Sequence, residues 1–129
     1  MGRQRYSENA KYFVSLGFAV LIPTRVGYGV TGGEDIEYSG TCQGKMYEPV
    51  YAASAVQTAA VLDYAKNLPY VDTSHGIVVG QSFGGATAIT VAAMNLPGVV
   101  ATVNFAGGGG GDPAHRPENP CRADLLEKM

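Results

Sequence analysis

At 129 residues the chain holds at most one domain, and its 46% hydrophobic and 16% charged residues describe a globular chain with a lean polar surface. A formal net charge of −2 and the lack of any Lys/Arg run argue against a nucleic-acid partner. No apolar stretch reaches membrane-spanning length, and Met1-Gly2-Arg3-Gln4-Arg5-Tyr6 is not followed by the apolar core of a signal peptide.

In chain order, residues 7–17 read as a short helix, with Ser7 suited to the N-cap, Glu8 to the first turn and Gly17 to a left-handed stop. Residues 18–22 (Phe-Ala-Val-Leu-Ile) form a continuous apolar run, the pattern of a strand buried on both faces, ended by Pro23. A long glycine-rich loop follows to about Met46. Its acidic residues Glu34, Asp35 and Glu37 lack a metal-ligand spacing and read as solvated. Residues 48–68 are helical by pattern, with Val50, Ala53, Val56, Ala60, Val61, Tyr64 and Leu68 on one apolar stripe, where Tyr64 reads as core.

Residues 76–80 read as a second strand, 83–95 as a helix stopped by Pro97-Gly98, and 99–106 as a third strand. Residues 107–111 read as a mobile glycine loop, 112–120 as irregular chain with three prolines, and 123–128 as the start of a helix. Helix and strand alternate, so the fold class is α/β: a three-layer arrangement on a parallel sheet. The two longer helices fall on one face and the first helix must cover the other.

The richest stretch is Ile77-Val78-Val79-Gly80-Gln81-Ser82-Phe83-Gly84-Gly85-Ala86. A strand that ends in Gly-x-Ser-x-Gly and runs straight into a helix is the context of a nucleophile elbow. The turn lifts the Ser82 hydroxyl above the strand end, and the Phe83 N–H opens the helix, where it can hold an oxyanion. Gly80 and Gly84 are expected to face each other too closely for any Cβ, while Gly85 and Ala86 bring the helix close to the strand.

Three stretches resemble the α/β-hydrolase superfamily, nearest its dienelactone-hydrolase-like and prolyl-oligopeptidase-like branch. They are Phe18-Ala19-Val20-Leu21-Ile22-Pro23 with Arg25-Val26-Gly27-Tyr28-Gly29, Val71-Asp72 leading into the elbow, and Val103-Asn104-Phe105-Ala106-Gly107-Gly108. The resemblance implies a serine hydrolase of carboxylic esters, lactones or peptide bonds, working through an acyl-enzyme on a small-molecule ester or peptide substrate, with no metal and no cofactor. Dienelactone hydrolases proper carry Cys where this chain has Ser82. Their strand before the first helix, and their usual acid and histidine, would lie outside residues 1–129, so the chain reads as a single partial domain. In that arrangement residues 18–22 either pair directly with Ile77, Val78 and Val79 or leave a gap, and the gap is the expectation. The open sheet edges then invite self-association.

A serine needs a base. His75 precedes the elbow strand, about 16 Å of strand from Ser82 at about 3.3 Å per residue. Asp112 and His115 follow the third strand, on the correct side, and are the chain's own candidates for acid and base. A solvated loop is the other reading of both. With no base the chain would be a non-catalytic binding or interaction module on the same fold. Cys42 and Cys121 lie on loops that leave the same sheet edge as Ser82. A disulfide between them would imply an exported, periplasmic-type setting, and two free thiols a cytoplasmic one.

Overall fold

A computed structural model describes residues 5–38, 40–41, 43–108, 111–112 and 116–120. The elements run α1 (Ser7–Ser15), a 3-10 turn (Gly29–Thr31), α2 (Tyr47–Ala65), β1 (Gly76–Gln81), α3 (Phe83–Ala93), β2 (Val99–Phe105), β3 (Gly111–Asp112) and β4 (Arg116–Pro120). The α/β class holds: β1 and β2 are parallel and α3 is the crossover between them. From Ile77 opposite Ala101 to Gln81 opposite Phe105 the register is continuous, and Val100 is the one residue skipped near its start.

The core combines an aromatic cluster with small residues. Tyr47 and Tyr51 of α2 are buried with Ala86 of α3, and Phe83 packs against them. Ala55, Ala88 and Val91 are fully buried as well, and α3 packs on α2 and on both strands. Ser54 is also fully buried there and accepts a hydrogen bond from Thr87 Oγ1 at 3.0 Å. Buried polar atoms in this seam are therefore paired with each other.

The buried stripe of α2 differs from the one the apolar pattern predicts. Tyr47, Val50, Tyr51, Ser54 and Ala55 face inward, whereas Val56 and Tyr64 are exposed. The residues that meet α3 include Tyr47 and Tyr51, which join Ala86 and Phe83, and Ser54, which pairs with Thr87, so contact with α3 rather than the hydrophobicity of single positions sets the buried side.

The N-terminal part departs further. Helix α1 begins after Tyr6, which is in the left-handed region, and Ser7 supplies no side-chain cap. Gly17 does make the left-handed stop, at φ 92°. No residue of α1 is buried, and Tyr12, Val14 and Leu16 are exposed, so it does not seal the second face of the sheet. Phe13 meets Phe18 edge-on with ring centres 6.1 Å apart.

Residues 18–22, expected as a strand, enter no ladder. Direct pairing with β1 is not made, and the second edge of β1 is unpaired among the described residues. An apolar run becomes a strand only when a neighbour accepts its backbone hydrogen bonds, and here none does.

Residues 111–120, expected to be irregular, include an antiparallel ribbon in which Gly111 faces Pro120 and Asp112 faces Arg116. Prolines are tolerated in such a ribbon because each strand has an outer edge that needs no N–H donor. Cys42, Cys121, His115 and the helix expected over 123–128 lie outside the described residues. Among the described residues no helix is long and apolar enough to cross a membrane.

Candidate active site

β1 ends at Gln81 and α3 starts at Phe83, so the whole reversal falls on Ser82. Its backbone sits at φ 53°, ψ −121°, a region that is nearly closed to residues with a side chain. The turn is fastened on both sides. The Ser82 N–H donates to the Phe105 carbonyl at the end of β2 at 2.9 Å, and the Ser82 carbonyl accepts from the N–H groups of Gly85 and Ala86. The Ser82 side chain is exposed and does not cap the helix. As the first residue of α3, Phe83 has no helical partner for its N–H, and none is found among the described residues.

The glycines explain how the turn closes. A Cβ on Gly80 would land on the Gly84 carbonyl oxygen and 2.7 Å from the Gly85 nitrogen. A Cβ on Gly85 would strike Asn104 Oδ1 and come 2.8 Å from Gly107 Cα. Gly84 is different from expectation: a Cβ there meets nothing within 4 Å. The tight approach is from the Gly80 α-carbon to the Gly84 carbonyl, not from one α-carbon to the other, so only the first glycine is sterically required.

The exit of β2 is drawn onto the same spot. Asn104 Oδ1 accepts the Gly107 N–H at 2.6 Å, and the Tyr51 hydroxyl donates to the Gly108 carbonyl at 3.3 Å. Gly107 and Gly108, expected in a mobile loop, are thus tied to both β2 and α2.

Behind the elbow lies a group that the sequence pattern did not single out. Glu37, expected to be solvated, is buried. Arg25 Nη1 lies 2.8 Å from Glu37 Oε1, as an ion pair rather than a hydrogen bond, and the Tyr28 hydroxyl donates to Glu37 Oε2 at 2.8 Å. Burial pushes the Glu37 carboxyl above its ordinary value, against the opposing pull of the Tyr28 hydroxyl and the Arg25 charge. Burial, reinforced by the hydrogen bond to Glu37, pushes the Tyr28 phenol up to about 12, so it remains a donor at any ordinary pH.

The Arg25 guanidinium carbon lies 5.2 Å from the Tyr28 ring centre and 5.1 Å from that of Phe83. The Val26 N–H donates to Gln57 Oε1 at 2.8 Å, fixing this loop to α2. An Arg, a Tyr and a Glu inside one glycine-rich loop were the available signal. The eleven residues between Arg25 and Glu37 hid the pairing from any local pattern.

The chain also holds a look-alike. At the opposite end of β1, His75 Nδ1 is 2.7 Å from Asp72 Oδ2 and 2.9 Å from Ser74 Oγ, and the Ser74 hydroxyl also meets Asp72. A catalytic triad needs the acid on one ring nitrogen and the serine on the other. Here both meet Nδ1, and the Ser74 N–H to Asp72 bond makes the group an Asx-type turn. The hydrogen bonds from Ser74, side chain first and then backbone, hold the Asp72 carboxyl down at about 2. Among the described residues no group of three His, Cys, Asp or Glu is placed to hold a metal ion. Asp112 lies in β3, and its candidate partner His115 is outside the described residues.

The elbow geometry and the parallel sheet agree with a sequence comparison. The profile of the dienelactone hydrolase family matches residues 2–125. The chain belongs to the dienelactone hydrolase family. No curated protein and no solved structure matches it. Membership in this family, which is of the α/β-hydrolase type, carries both the fold class and the assignment as a hydrolase. Within this dienelactone hydrolase family chain, the matched stretch spans the elbow, the Arg25–Glu37 pair and Asp112 alike.

Proposed function

We propose that this chain is a serine hydrolase of carboxylic ester, lactone or peptide bonds, with Ser82 as its nucleophile. One observation carries the reading: Ser82 alone occupies the strained strand-to-helix reversal, exposed, with the unpartnered Phe83 N–H next to it. Ser82 Oγ attacks the carbonyl carbon while a base takes its proton. The carbonyl π bond opens, and the oxyanion is held by the Phe83 N–H at the positive end of α3. Collapse of the tetrahedral intermediate expels the alcohol or amine, protonated by the same base. Water then repeats the sequence on the acyl-enzyme to release the acid.

The base is the open assignment. His75 is removed by the whole length of β1 and engaged in its own turn. His115 and Asp112 follow β2 in the sequence and are the chain's own candidates for base and acid. A second reading, a non-catalytic binding module, draws support from Ser82 Oγ having no hydrogen-bond partner among the described residues.

A fluorophosphonate probe separates the readings. The 129-residue chain is expected to label slowly at Ser82, with labelling abolished by Ser82→Ala and unchanged by His75→Ala. A missing base typically slows such chemistry by several powers of ten. Fast labelling that His115→Ala removes would assign the base to His115. No labelling of Ser82 at any probe concentration would leave the binding module standing.

A further inference from the structure

The Phe83 ring is unusually well held for the first residue of a helix. Arg25 sits 5.1 Å from its centre, and the Tyr51 ring lies 4.8 Å away, tilted by 42°. Neither neighbour is loose. Tyr51 is buried and stacked on Tyr47 at 6.0 Å with the rings nearly parallel. The Arg25 side chain is only 29% exposed and that of its partner Glu37 only 3%, and Tyr28 ties down the other carboxylate oxygen. The loop that carries Arg25 is anchored through Val26 to Gln57.

An oxyanion donor acts only if it is aimed before the reaction begins. The Phe83 N–H shares a planar peptide unit with the Ser82 carbonyl, which accepts from the N–H groups of Gly85 and Ala86, so its direction is that of the first turn of α3. How firmly that turn is seated depends in part on the Phe83 side chain, the point where it meets Arg25 and Tyr51. Arg25 is already paired with Glu37 and lies over two rings, so its contribution runs through Phe83 rather than through a direct contact with substrate.

We propose that Arg25 is a positioning residue. Held by Glu37, it clamps the Phe83 ring against Tyr51 and so steadies the first turn of α3, which carries the Phe83 N–H. The functional meaning of the clamp rests on the reading of that N–H as an oxyanion donor. The guanidinium carbon lies over the Phe83 ring, and an ammonium is not interchangeable with a guanidinium beside an aromatic ring.

The test uses the 15N-labelled chain as wild type, Arg25→Met and Arg25→Lys. Both variants are expected to lower the Phe83 N–H order parameter from a rigid value of about 0.85 to below about 0.7, while Ile77, Val78 and Val79 stay rigid. Fluorophosphonate labelling of Ser82 is expected to slow at least about tenfold in both, toward the loss seen when one oxyanion donor is removed. Failure of lysine to rescue separates stacking from charge. If Arg25→Met does not fold, Arg25→Lys carries the test, because it keeps a cation opposite Glu37. A Phe83 amide as rigid in Arg25→Lys as in wild type overturns the proposal. So does a uniform fall in order parameters with an earlier urea midpoint, which would make Arg25 a general stability residue. If Ser82 labels in no form of the chain, the hydrolase reading fails, and the amide measurement still decides the clamp.

Discussion

Gly80→Ala is expected to destroy the elbow, while Gly84→Ala leaves it intact. The alanine methyl at 80 would occupy the same space as the Gly84 carbonyl oxygen, and both partners are backbone. Nothing flexible can give way, so either β1 shifts out of its ladder with β2 or the first turn of α3 unwinds. A backbone clash of this kind belongs with the largest single-site losses, above about 4 kcal/mol. That is most of the stability of a domain this size, typically about 5–15 kcal/mol. At Gly84 the added methyl meets open space inside the first helical turn, where alanine is favoured over glycine by about 1 kcal/mol. Urea melts of the two variants, with the Ser82 labelling rate alongside, check the pair. Equal losses at both positions would contradict the one-sided contact.

Removing the Glu37 side chain is the second large effect. In Glu37→Ala the Arg25 charge loses its counter-ion and the Tyr28 hydroxyl its acceptor, both in a mostly buried setting. Breaking a buried pair this way costs about 3–5 kcal/mol, and the partial exposure of Arg25 places this one near about 3 kcal/mol. Glu37→Gln keeps an acceptor for Tyr28 and is expected to lose about half as much.

The pH dependence separates the two forms of the side chain. The folded pKa of Glu37 is raised above 4.5, so the folded chain takes up this proton before the unfolded chain does. Its contribution to stability is therefore fully present below pH 4.5 and is lost as pH rises through the folded pKa. Wild type is expected to gain on Glu37→Gln as the medium is acidified through that window. A difference that shrinks instead would mean that the ionised pair is the stabilising form.

The elbow was legible because it is made of backbone. A reversal at positive φ with a methyl-free approach two residues before it can be written in few ways, and Gly80-Gln81-Ser82-Phe83-Gly84 is one of them. The ends of β1, α3 and β2 fell within two residues of where the Gly and Pro punctuation led them to be expected, for the same reason.

What stayed hidden depends on partners far along the chain. Nothing near Glu37 says that an arginine twelve residues earlier will bury it. Nothing near Tyr64 says that α3 will meet the helix on its Tyr47 and Tyr51 side. Residues 18–22 have every local mark of a strand, yet a strand is a property of two segments. Ser82 was readable from its own neighbourhood, whereas the group behind Phe83 could be found only once the loop had closed on the helix.

The ladder between β1 and β2, with α3 laid across it, joins segments no more than about thirty residues apart in sequence. Such a unit closes short loops and forms early, whereas α1 adds no buried residue to it. Stability in this chain is therefore graded, with α1 at the end that opens at almost no free-energy cost and β1–α3–β2 at the end that opens last. The strained serine belongs to the last-opening part. Ser82 holds its unfavourable backbone through every partial opening short of global unfolding, so fluctuations elsewhere in the chain leave the strained turn in place.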